Sequence, residues 1–244
     1  MAARVAILIA IFLLPLTIFA QLAPKHNDAD PPPAPAANGS TISVARMKTP
    51  EKAQREIRKA EEYLQKGKND DARRASLRAL EIYPDCAEAH TFLGIIALRE
   101  KRANDTIAEL ETAIRLDPNS PLPYILMGVT DNVLGRYDAA LQVLSTAVRM
   151  APKAWQIYFE MAHAAVGQGD FAAGLQHVDQ ALALVPAEMA PLHLLRGQIL
   201  LQLKDYAHAS GEFEQYLKED PQGQAAPEAR QALAQARGSL TGEQ

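Results

Sequence analysis

Six histidines, one cysteine and the acidic pairs Glu61-Glu62 and Asp70-Asp71 are among the groups in this 244-residue chain whose types could support chemistry. His26, His90, His163, His177, His193 and His208 form no HExxH arrangement. No two of them are four residues apart, the spacing that lets two imidazoles on one helix face share a metal ion. The serines lack a GxSxG setting, and no glycine-rich phosphate loop follows a strand-like run. Glu61-Glu62 and Asp70-Asp71 fall where a helix surface or helix start carries solvated or dipole-complementing charge. Cys86 is alone, so one chain can build neither a disulfide nor a thiolate metal site. It reads as a small residue at a turn between helices. These residues argue against an enzyme and against any cofactor or metal, and they turn attention to what the chain could bind.

Composition narrows the partner. Apolar residues make up 48% of the chain and charged ones 22%, which is ordinary globular chemistry. Aromatics are only 6%, while alanine and leucine abound, favouring helices that pack closely through small residues. The net charge is −4, moving to about −5 if the first twenty residues and Arg4 are removed. With that sign and no basic block, nucleic acid is excluded as a partner class.

Residues 1–20 carry one positive charge at Arg4, then an apolar run from Val5 to Leu16 and the sequence Thr17-Ile18-Phe19-Ala20 before Gln21. This is the pattern of a signal peptide, and the apolar stretch is shorter than the roughly twenty residues that span a bilayer. Ile18 is larger than the residue wanted two places before Ala20, so an uncleaved anchor to the inner membrane over residues 5–20 is the alternative. No cysteine follows the run, which rules out a bacterial lipoprotein. Residues 21–49 lose all periodicity and centre on Pro31-Pro32-Pro33-Ala34-Pro35, a composition that cannot bury a core. Such a segment is expected to act as a semi-rigid tether reaching up to roughly 90 Å, or as a disordered leader with no task. Asn38-Gly39-Ser40 and Asn104-Asp105-Thr106 match a glycosylation acceptor and are read as coincidence.

The remainder is periodic. Pro84, Pro118, Pro152, Pro186 and Pro221 are spaced by 34, 34, 34 and 35 residues, a period that marks a stacked array of supersecondary units. Five residues before each proline stand Ala79, Ala113, Ala147, Ala181 and Tyr216; twelve before stand Ala72, Thr106, Ala140, Gly174 and Ala209. Small residues at these places let two helices touch. The first half of each unit carries Leu93-Gly94, Met127-Gly128, Met161-Ala162 or Arg196-Gly197, with Tyr124 and Tyr158 three residues earlier. Turns at Gly135-Arg136-Tyr137, Gly169-Asp170-Phe171 and Lys204-Asp205-Tyr206 join the halves. Thr49-Pro50-Glu51 offers a cap, a first-position proline and a first-turn acid for the opening helix, and Gly67 ends it. After Pro221, residues 226–237 suit a solvating cap helix, and 238–244 should fray.

These marks resemble the tetratricopeptide repeat family, over about 70% of the chain from Ala53 to Pro221. The resemblance implies an all-α fold: a right-handed superhelix of antiparallel helix pairs, about five repeats over residues 50–221, with a C-terminal capping helix in 222–244. Departures are Lys59-Ala60 in the first unit, Thr106 and Gly174 in place of alanine, and one extra residue near 187–190. It further implies a groove lined by the first helix of each unit. The family's groove positions correspond to Thr91 and Ile95, Ile125 and Val129, Phe159 and His163, Leu194 and Gln198, with Asn132 added. Family members that clamp a chaperone's terminal carboxylate use lysine and asparagine there. This chain lacks that set, so an extended or helical peptide presenting apolar side chains is the expected partner. The function expected is a non-enzymatic scaffold, periplasmic or secreted, organising partners in secretion, pilus or outer-membrane assembly. The alternative is a membrane-anchored accessory subunit that recruits an enzyme or maturation factor. A membrane is a partner only if residues 5–20 stay uncleaved.

Overall fold

The end of the opening helix sets a pattern the rest of the chain repeats. Gly67 lies in the left-handed region (φ 70°), and its N–H donates to Leu64 O while that of Lys68 donates to Tyr63 O at 2.8 Å. This double wrap satisfies carbonyls the helix would otherwise orphan and turns the chain back on itself. The same pair of bonds recurs around Lys101, Gly135, Gly169 and Lys204, all at positive φ. Five sharp reversals at the repeat period therefore produce five helical hairpins.

The computed structural model describes residues 48–185 and 189–242. Eleven helices are described in full, and no strand occurs among the described residues. They pair as α1 (Glu51–Gln65) with α2 (Asn69–Ile82), α3 (Ala87–Arg99) with α4 (Ala103–Leu116), and α5 (Pro121–Val133) with α6 (Tyr137–Met150). The series continues with α7 (Trp155–Gln168) and α8 (Phe171–Leu182), α9 (Ala190–Gln202) and α10 (Tyr206–Glu219), and the cap α11 (Ala226–Thr241). The all-α solenoid of five helix pairs and a cap is thus the fold. The expected signal or anchor segment 1–20, the tether up to 47, Pro186 and residues 187–188 of the extra-residue region lie outside the described residues.

Within a hairpin, the two helices approach by matching sizes. A Cβ on Gly94 would meet Leu110 at 2.9 Å, one on Gly128 would meet Leu144 at 2.5 Å, and one on Gly197 would meet Phe213 at 2.9 Å. Leu110, Leu144 and Phe213 are fully buried. At the corresponding places the fourth hairpin has Ala162 and Val178 and the first has Ala60 and Ser76, so a larger residue on one helix accompanies a smaller one on the other. Ala79, Ala113, Ala147 and Ala181 are likewise fully buried. Tyr216 breaks that series for a steric reason: it clusters with Ala225, Ala226 and Ala229, where the small residues of the cap leave room for a ring.

Two boundaries differ from the sequence reading. α1 begins at Glu51 with Pro50 at its cap position, one residue later than the sequence pattern placed it, while Gln54 Nε2 donates to the Thr49 carbonyl at 2.8 Å. At the other end, α11 runs through the segment expected to fray and closes at Gly242 (φ 74°), because Ala236 still packs against the last hairpin. Asp70 and Asp71 lie in the first turn of α2 as dipole complements.

Two substitution sets test this architecture. Lys101→Gly and Lys204→Gly should each raise stability by up to about 1 kcal/mol, because a lysine at positive φ carries a cost that glycine does not. Gly128→Ala should cost about 1–3 kcal/mol through overlap with Leu144, and Leu144→Val in the same chain should recover part of it. Urea unfolding of the four variants measures both.

Candidate functional site

Which face is concave follows from which helices meet. The first helices of successive hairpins touch, α1 with α3, α3 with α5 and α5 with α7, whereas the second helices reach the next hairpin mainly through its first helix. From α1 to α7 the first helices are therefore crowded along the inner side and form one continuous face. Of all the first helices, α7 and α9 touch least, at the junction that includes residues 186–188.

The nine residues assigned to the groove divide into two layers. Thr91, Ile95, Ile125, Val129, Phe159 and Leu194 are each less than a tenth exposed, packed between neighbouring helices. Thr91 turns its hydroxyl to the Ala87 carbonyl at 2.9 Å. Asn132, His163 and Gln198 are half-buried and stand at the accessible level, next to exposed Val133. Phe159 meets the edge of Trp155 at 6.1 Å and of His163 at 4.5 Å, joining the two layers in the fourth hairpin. Loss of solvent around the His163 ring pushes its pKa down to about 4, so it is neutral at ordinary pH.

The structure adds polar residues that the periodic reading passed over. Asn132 Nδ2 donates to both the main-chain oxygen and Oε2 of Glu160 at 3.0 Å, linking α5 to α7. Glu160 is buried, and burial raises its carboxyl to about 7. Asp131 is also buried, which raises its carboxyl, and its oxygen lies 3.9 Å from Arg136. Arg99 reaches from the second hairpin to the first, donating to the Leu64 carbonyl at 3.0 Å and Asn69 Oδ1 at 2.9 Å. The available signal was a charge inside an otherwise apolar helix, as with Glu160 between Phe159 and Met161.

A second network ties α8, α9 and α10. His193 Nδ1 lies 2.7 Å from Glu212 and Nε2 lies 3.4 Å from Glu219; Arg196 bonds Glu212 and also Asp179. His90 pairs with Glu109 at 2.8 Å in the same relation between the two helices of its own hairpin. In the third and fourth hairpins tyrosines take this place, and Tyr124 and Tyr158 donate to the carbonyls of Pro118 and Pro152. Both solutions anchor the start of a first helix. No group of three or more metal-ligating side chains occurs among the described residues, and no described helix is long and apolar enough to cross a membrane.

The hydrogen bond to Glu212 is the main cause that holds the His193 pKa above its ordinary value. A raised histidine contributes stability that is whole below the unfolded-state pKa and is lost as pH rises through the folded one. The unfolding free energy of the wild type should therefore fall relative to His193→Gln as pH rises from mildly acidic to mildly alkaline, measured by urea titrations across that window.

Comparison with known proteins agrees with this geometry. A family profile described as Tetratricopeptide repeat matches residues 57–121 and 159–224, just over half of the chain. Among curated proteins, none matches the chain in sequence. Of solved structures, pilF of Pseudomonas aeruginosa aligns over 78% of this chain and 90% of its own, with 20% identity and a TM-score of 0.66. A thermophilic tetratricopeptide protein of Thermus thermophilus aligns over 75% and 98%, with 20% identity and a TM-score of 0.61. YrrB, described as a tetratricopeptide protein with an unusual peptide-binding site, aligns over 73% and 92%, with 17% identity and a TM-score of 0.56. At these identities the likeness is one of fold. With the profile match across the repeats, the chain belongs to the tetratricopeptide repeat family.

Proposed function

We propose that this protein is a non-enzymatic scaffold of the bacterial cell envelope that holds a partner peptide or helix along its concave face. The coarser part is the general role of the fold, protein–protein interaction through stacked helical hairpins. The observation that carries the finer reading is the layered inner face. An apolar floor of Thr91, Ile95, Ile125, Val129, Phe159 and Leu194 fixes its shape, Asn132 and His163 are engaged within the stack, and Gln198 and exposed Val133 stand above it. Such a surface offers the Gln198 amide for a peptide backbone and Val133 as an apolar contact for its side chains. Envelope placement is supported by the signal-like residues 1–20 and the proline-rich 21–49. The second reading, an accessory subunit anchored by residues 5–20, rests on the same apolar run and differs only in whether it is retained.

The floor residues are unsuitable for testing this, because a charge placed at Phe159 would unfold the hairpin. The exposed layer is suitable. Val133→Glu with Gln198→Glu should leave the melting temperature unchanged and abolish capture of a partner from envelope extract. Undiminished capture by that variant moves the binding surface off the concave face. Alkaline extraction of membranes separates the two readings: release into the soluble fraction supports the scaffold, and retention supports the anchored subunit.

A further inference from the structure

The contact between the third and fourth hairpins contains an unbalanced pair. Glu160 is 8% exposed, and its Oε2 accepts one bond, from Asn132 Nδ2. On the same amide, Asn132 Oδ1 is buried with no donor. The amide cannot be reversed to cure this, because Nδ2 already faces two acceptors, the Glu160 main-chain oxygen and its carboxylate. With the carboxyl ionised, the site holds a buried charge lacking a cation and a buried acceptor lacking a donor, each of which is costly.

Charged groups on the neighbouring helices are engaged elsewhere. Asp131 on α5 faces Arg136, and Asp138 on α6 accepts from Gln168. Asp170 caps α8, and Asp179 on α8 pairs with Arg196 of α9. On α7 itself, His163 is neutral above about pH 4 and supplies no positive charge. One proton from solvent can resolve both faults: it removes the charge from Glu160 and gives its carboxyl an O–H to donate within the pair, where Asn132 Oδ1 lacks a donor.

We propose that Glu160 and Asn132 form a proton-operated clasp between the third and fourth hairpins, closed by a reciprocal pair of hydrogen bonds when Glu160 is protonated and weakened when it ionises. The clasp joins α5 to α7 at the concave face, so its state sets how firmly the central hairpins hold their relative angle. The burial that raises the carboxyl to about 7 places the change within the neutral range. The unfolded chain releases this proton near the ordinary 4.5, so the site's contribution is whole below about pH 4.5 and falls as pH rises through about 7. This inference stands apart from the identity of any partner.

The test is a titration of the purified protein. Carboxyl 13C shifts should give Glu160 a midpoint near neutrality, identified by its absence in Glu160→Gln. Hydrogen exchange, corrected for the intrinsic rate, should show α5 and α7 better protected at about pH 5.5 than at about pH 8.5 in the wild type. Glu160→Gln presents a permanent amide donor and acceptor, so the pH response of α5 and α7 should shrink there to what other groups such as His193 contribute. Asn132→Ala should shrink it likewise, at the lower level of protection. A Glu160 midpoint in the ordinary carboxylate range overturns the clasp, as does a pH response as large in Glu160→Gln or Asn132→Ala as in the wild type.

Discussion

Everything in this molecule depends on how closely the two helices of one hairpin can approach. Where α5 carries Gly128, the side chain of Leu144 occupies the space a Cβ would need, and the same holds for Gly94 with Leu110 and Gly197 with Phe213. Close approach buries the large residue completely, and the burial of one leucine or phenylalanine against backbone is worth roughly 1.5–3 kcal/mol. A two-helix unit of this size has no other substantial interior, and it must lend its outer faces to its neighbours. The alanines at 79, 113, 147 and 181 serve that second requirement, and Tyr216 shows the requirement ending, since beyond it stands a cap built of small residues.

The repeat could be read from sequence because its constraints recur at fixed spacing. A proline follows each second helix in the sequence, a small residue allows each close approach, and a left-handed residue reverses the chain after each first helix. Lys101 hid one of those reversals, and the turn at Lys204 was read without its left-handed backbone, since their φ of about 60° belongs to a conformation that residue type does not announce. The opening helix shows the opposite limit. Thr49, Pro50 and Glu51 fit a capping pattern by type, and the helix begins one residue later than that pattern places it, at Glu51, with Gln54 reaching back to the Thr49 carbonyl. The end of α11 was missed because Gly238 and Ser239 are poor helix formers, while tertiary contact through Ala236 overrides local preference.

The candidate groove was legible as a face and illegible as a surface. Periodicity assigns residues to the inner side of the first helices, but it carries no information on how tightly neighbouring helices close over them. Ile125 and Phe159 occupy the family's groove positions and are almost wholly covered, whereas Val133 at the end of α5 is open to solvent. Exposure depends on the angle between successive hairpins, and that angle comes from packing among residues far apart in sequence. The weak contact between α7 and α9 illustrates this, since the repeat lengthens by one residue at that same junction.

Polar residues within the stack follow a different logic from the apolar ones. Along a solenoid each hairpin touches only its neighbours, so a buried polar group must find its partner in its own or the adjacent unit or go without. Arg99 succeeds by reaching a carbonyl and an amide oxygen of the first hairpin, and His193 succeeds through Glu212 and Glu219. Glu160 reaches only Asn132 and leaves that amide's oxygen unsatisfied. A charge retained at such a place costs stability that an apolar residue would not. In a one-dimensional array that cost falls on a single junction, where it alters the angle between two halves of the molecule more readily than the fold of either.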